Sequence, residues 1–198
     1  MKKLLLAAFA FVLSTPAIAA QEKYSFEKPH SQVMFNVEHM GMSHSHGKFL
    51  DFDGYFIFDR EAPQNSSVEV TIDTSSIEMN HGVWNEHLRS EKWLNVEKYP
   101  TMTFKSTNVD VQAEKRAIIK GDLTLMGVTK PVDLQVFYND SKKNPFSGKY
   151  MSGFTAVAAI KRSDFGMDGS LSAVGDKVNI KIEVEGICEE NCPVETNE

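Results

Sequence analysis

Between Val33 and Glu185 the apolar residues of this chain recur at every second position, not at every third or fourth. The last run is the clearest, with Val178, Ile180, Ile182 and Val184 alternating with Asn179, Lys181, Glu183 and Glu185. Successive side chains of a strand point to opposite faces, so the pattern describes strands with one dry face and one wet face. The same alternation aligns Val33, Phe35 and Val37, then Val68, Val70 and Ile72, and Met102 with Phe104 after Pro100. It continues through Ile119, Leu123 and Leu125, crosses a turn at Gly127, and resumes in Val132, Leu134 and Val136. Gly47 to Phe58 reads as one long strand with Leu50, Phe52, Phe56 and Phe58 on one face. Phe154, Ala156, Ala158 and Ile160 form another, and Asn139 to Gly148 reads as a turn-rich hairpin loop. The expectation is an all-β domain of about eight antiparallel strands.

One segment departs from this period. N-H-G-V-W-N-E-H-L-R-S, starting at Asn80, places Trp84 and Leu88 four residues apart, with Trp93 and Leu94 just beyond. That spacing makes an amphipathic helix. A lone helix among strands suits the end of a barrel. Trp84 and Trp93 then read either as ordinary core residues or as a lid, with His81, His87 or Arg89 near the polar end of a ligand. Eight antiparallel strands form a sandwich or a closed barrel, and a barrel of that size is just wide enough for one small or elongated ligand. Phe35, Phe52, Phe56, Phe104 and Phe154 dominate the inferred inner face. Periodicity alone does not separate a filled interior from a lined cavity.

The chain opens with Lys2 and Lys3, an apolar run from Leu4 to Leu13, and Ala17-Ile18-Ala19. This is the layout of a secretory signal peptide over 1–19, with a cut one residue later also fitting, and it predicts a periplasmic protein. The run falls short of the roughly 20 residues needed to span a bilayer, and no stable membrane insertion is expected. Losing Lys2 and Lys3 with the signal takes the formal charge from −6 to −8, which disfavours nucleic acid and anionic membrane surfaces as partners. In an oxidising compartment, Cys188 and Cys192 of C-E-E-N-C-P read as a local disulfide past the last expected strand. Free thiols, an intermolecular bridge and a weak metal site are the alternatives. Residues 20–187 then form the barrel and 188–198 a tail.

No catalytic motif stands out. There is no G-x-S-x-G elbow, no phosphate-cradling glycine loop, no H-E-x-x-H and no conspicuous carboxylate pair, so a non-enzymatic protein is expected and a lipid-ester hydrolase is a distant alternative. His39, Met40, Met42, His44 and His46 combine imidazole and thioether as copper or zinc sites do, although the spacing matches no defined site. A periplasmic copper/zinc-binding protein is therefore the main alternative, and His39 also fits as a structural histidine on the inward face. Lys161–Met167 reads as a turn ordered by an Arg162–Asp164 pair.

Several segments resemble the YceI-type family of periplasmic proteins. They are H-S-Q-V-M-F-N-V-E-H-M-G-M-S at 30–43, G-K-F-L-D-F-D-G at 47–54, H-L-R-S at 87–90, Y-P-T-M-T-F-K-S at 99–106, G-D-L-T-L-M-G-V-T-K-P-V at 121–132 and R-S-D-F-G-M at 162–167. The resemblance implies a lipocalin-like antiparallel barrel with a helix near one end. It also implies a tunnel for a long apolar lipid, such as a polyisoprenoid, an isoprenoid quinone or a fatty amide, and no other cofactor. On this reading Phe35, Val37, Phe52, Phe56, Trp84, Leu88, Trp93, Phe104, Leu123, Leu125, Phe154 and Ile160 line the tunnel. A homodimer is compatible with it. Neither His44 and His46 nor the Cys188–Cys192 tail belongs to the family's pattern.

Overall fold

A computed structural model describes residues 21–194; the expected signal peptide and its cut lie outside them. The strands are β1 (Glu22–Phe26), β2 (Gln32–His39), β3 (Ser43–Phe49), β4 (Phe52–Phe58), β5 (Ser67–Asp73), β6 (Ile77–Glu78), β7 (Thr101–Ala113), β8 (Arg116–Leu125), β9 (Val128–Lys143), β10 (Tyr150–Lys161) and β11 (Val174–Glu190). The helix α1 spans Gly82–Arg89. Hydrogen bonding runs β1-β4-β5-β7-β8-β9-β10-β11 and returns from β11 to β1, which closes an antiparallel barrel of eight strands. The sandwich alternative is thereby resolved.

Closure depends on a strand that changes partner. β11 pairs with β2 through Val174–Glu183 and with β1 through Gly186–Glu190. β1 and β2 thus act as one bent strand, interrupted by a short 3₁₀ turn at Lys28–His30. Their partners β4 and β3 are likewise two halves of one chain segment.

That bend corrects the expectation of one continuous strand from Gly47 to Phe58. The chain breaks at Leu50 and Asp51, where the Leu50 N–H donates to the Ser76 carbonyl and the Asp51 carbonyl accepts from the Asp73 N–H. The break shifts the alternation by one position. Phe49 and Phe52 are both buried, and Leu50 is 58% exposed instead of facing in. The Asn139–Gly148 loop is shorter than expected because β9 runs on to Lys143 against β10. Only a tight turn remains, in which the Asn144 Oδ1 accepts from the N–H groups of Phe146 and Ser147. Cys188 is not past the last strand but within it, paired with Tyr24 and buried.

The inward residues form one large cluster centred on Phe49, Phe52, Ile72, Met102, Phe104, Leu125 and Phe165. A smaller cluster of Tyr24, Phe56 and Cys188 lies at the β1 end. Two glycines let aromatic rings lie against the wall. A Cβ on Gly47 would come 2.5 Å from Phe35 Cζ, and one on Gly186 would come 2.4 Å from Phe56 Cζ. Among the described residues, no helix is long and apolar enough to cross a membrane.

Candidate functional site: an apolar cavity along the barrel

The interior is not filled. A cavity of about 760 Å³ runs through the barrel, and all twelve residues nominated as lining border it: Phe35, Val37, Phe52, Phe56, Trp84, Leu88, Trp93, Phe104, Leu123, Leu125, Phe154 and Ile160. For the nine on strands the alternation accounts for this directly, since side chains two apart share the inner face, while Trp84 and Leu88 come from α1 and Trp93 from the turns after it. Its volume lies in the range of pockets that hold a small ligand.

The end nearest β1 carries a polar network bordered by aromatic rings, and the exposed Glu114, Lys115 and Arg116 at the β7–β8 turn border the cavity on that side. Arg60 donates from Nε to Glu22 Oε1 at 2.6 Å and from Nη2 to Glu22 Oε2 at 3.0 Å. Its other N–H groups reach the hydroxyls of Tyr24, Ser141, Ser152 and Tyr138 at 3.0–3.3 Å. The Tyr24 hydroxyl donates to Glu22 and accepts from Ser152. Phe56 stacks on Tyr24 with ring centres 4.7 Å apart, and Phe154 meets Phe56 and Phe58 edge-on. The Cys188–Cys192 disulfide packs against the same cluster.

Burial, reinforced by the Glu22 carboxylate, pushes the Tyr24 phenol up to about 12. A raised pKa means the folded state holds the proton more tightly than the unfolded chain does. Its contribution is full below the unfolded value near 10 and is lost as pH rises through about 12. Alkaline unfolding should therefore steepen between these values. The Tyr24→Phe variant, followed by urea melts across the same range, should lack that part of the slope.

The opposite end is covered by the segment containing α1. His81 is the helix N-cap, accepting from the Trp84 N–H at Nδ1. Buried Asn85 anchors the helix, with Oδ1 accepting from the Met79 N–H at 2.8 Å and Nδ2 donating to Glu78 Oε2 at 2.8 Å. Arg89 donates to the carbonyls of Ser75 and Ile77 and pairs with Glu86. His81 and Arg89 thus hold the cover in place and do not border the cavity; of the three head-group candidates only His87 does. Trp84 borders the cavity and is still 46% exposed, so it stands at a mouth. Asn85→Ala removes a buried group that satisfies a backbone N–H. It should cost about 1–3 kcal/mol in denaturant unfolding and speed hydrogen exchange of the α1 amides first.

His39 borders the cavity, whereas His44 and His46 lie exposed on β3. The register explains the split: His44 and His46 pair with Glu38 and Asn36, which lie an odd number of residues from His39 on β2 and so on its opposite face. Among the described residues, the group of ligating side chains close enough to share an ion is a different one, Glu27, His30 and Glu185. The expected Arg162–Asp164 pair does not form. Arg162 is buried and donates to three carbonyls, while the Ser163 N–H and hydroxyl donate to Asp176 at 2.9 Å. The turn is ordered by backbone groups. Sequence reasoning also missed Glu22, Tyr24 and Arg60, whose only local trace is the alternation of Tyr24 and Phe26.

A closed eight-stranded antiparallel barrel around an elongated apolar cavity, with a helix over one end, is a lipocalin-like barrel. The chain belongs to the YceI-like family: the YceI-like domain model matches residues 24–186. Protein YceI of Salmonella agona is 42% identical over 190 residues, covering 94% of this chain and 98% of that protein. Among solved structures, Burkholderia cenocepacia BcnA superposes with a TM-score of 0.74 at 23% identity, covering 81% of this chain and 98% of that one. A polyisoprenoid binding domain from Saccharophagus degradans gives 0.63 at 14% identity, covering 84% and 98%.

Proposed function

We propose that this protein is a periplasmic carrier or store for a long apolar lipid of isoprenoid type. The observation that carries the reading is the cavity of about 760 Å³ bordered by aromatic and aliphatic side chains from the strands and α1. Such a space has no use for a polar solute. Each buried methylene gains about 0.8 kcal/mol, so a chain of roughly 30 carbons gains on the order of 20 kcal/mol gross. Ordering and association consume much of that. The neighbour from Saccharophagus degradans, a polyisoprenoid binding domain, lends the isoprenoid class support. The A-I-A signal pattern and the disulfide lend support to an exported, oxidising setting.

Gently purified protein extracted with organic solvent should yield about one long-chain lipid per chain by mass spectrometry. Protein that yields none, and that takes up no long-chain lipid when offered it, would sink the proposal.

A further inference from the structure

Besides the exposed Arg116, two arginines border the cavity, one toward each end, and they are not equivalent. Arg60 has its charge matched by both oxygens of Glu22. Arg162 has no such partner. It is 3% exposed, borders the cavity, and lies with Cζ 5.4 Å from the centre of the Trp93 ring, which borders it too. Its Nε donates to the Gly175 carbonyl at 2.9 Å, Nη1 to Met167 at 2.6 Å and Nη2 to Val174 at 2.7 Å. Carbonyls satisfy N–H groups but carry no net charge.

A guanidinium has five N–H donors, so two remain without a protein acceptor among the described residues. Asp176 and Asp168 act on Arg162 only through longer-range attraction, and Asp176 already accepts from both the N–H and the hydroxyl of Ser163. A buried cation lacking a counter-charge is costly, and a group that supplies one gains correspondingly. Burial does depress this guanidinium below the usual arginine value, yet arginine remains protonated in proteins. His39 and His87 border the same cavity and can add donors. At the far end Arg60 is already paired with Glu22, and Lys115 and Arg116, which also border the cavity, are exposed to water.

We propose that the cavity takes its lipid in one orientation, with an oxyanion head group, carboxylate or phosphate, at Arg162 and the apolar tail directed toward Arg60. This rests on the lipid-binding reading above and adds the head-group chemistry and the direction of insertion.

The test uses delipidated wild-type protein and a set of saturated ligands of equal chain length: acid, alkyl phosphate, alcohol and primary amine. At least one oxyanion should bind about tenfold or more tighter than the alcohol, as a charge-assisted hydrogen bond in a dry site would give, and the amine should bind weakest. Alcohol or amine binding as tightly as both oxyanions would overturn the proposal while leaving lipid binding intact. Failure of all four would instead refute the lipid-carrier reading.

Orientation has its own readout, because Trp84 and Trp93 are the chain's two tryptophans and both border the cavity beside α1. A long-chain acid brominated next to the carboxylate should quench their fluorescence more than the same acid brominated at the chain end. The reverse order would reverse the assigned polarity. Arg162→Met should abolish the preference for the oxyanions over the alcohol. Should that variant not fold, the wild-type ligand series and the quenching order decide the matter.

Discussion

Replacing Arg60 by alanine should lower the unfolding free energy by about 3–5 kcal/mol, the usual cost of stranding one member of a buried ion pair. Glu22 is only 6% exposed, and with Arg60 gone its carboxylate would keep a single hydroxyl donor, that of Tyr24. Three further hydroxyls, those of Ser141, Ser152 and Tyr138, would lose their link to the guanidinium. Glu22→Gln combined with Arg60→Met leaves no charge in the site, so the double variant should recover more than half of the loss. Urea melts of the two single variants and the double variant close the cycle. Additive losses would show that the network is not one coupled unit. Thermal melts should show the same order.

The second large effect concerns ligand capacity. Ala156 on β10 is buried, borders the cavity and sits between Val136 of β9 and Ile182 of β11. Tryptophan there would project its ring into the open interior, with no packed core to displace. Ala156→Trp should therefore fold with stability within about 1–2 kcal/mol of the parent, since overpacking penalties arise only where space is already filled. Long-chain lipid uptake should fall by at least tenfold, because the ring and the ligand compete for one lumen. Extraction and titration with a fluorescent long-chain lipid would measure it. Undiminished uptake would mean that the lipid lies elsewhere.

The strands whose apolar faces are uninterrupted were legible in the sequence. Val178–Val184, Ile119–Leu125 and Val132–Val136 each carry their own inward set, and every one of those sets borders the cavity or packs on the core. The break at Leu50 was not legible, because backbone bonds to Asp73 at the end of β5 and to Ser76 in the 3₁₀ turn after it create it. Barrel closure was hidden for a similar reason. It rests on β1 pairing with β11, a match between segments more than a hundred and sixty residues apart. The inward residues of the strands were legible because spacing alone decides which face they occupy; that they border an open cavity was implied only by the resemblance. The ends were misread because roles there depend on partners. His81 is a cap, Arg89 a strap, and Arg162 binds carbonyls and not the neighbouring Asp164. The Glu22–Arg60 network draws its six members from four separate segments, β1, the turn after β4, β9 and β10, with no spacing a sequence pattern could reveal.

The pairing of Lys23 with Glu190 brings both flanks of the barrel to the same end, the one that carries Arg60, while Trp84 stands at the other. A tether attached before residue 21 or after residue 194 therefore starts from the Arg60 end. Coupled to a bead or sensor chip through either flank, the protein would present its Trp84 mouth and α1 outward, free to meet whatever flows past.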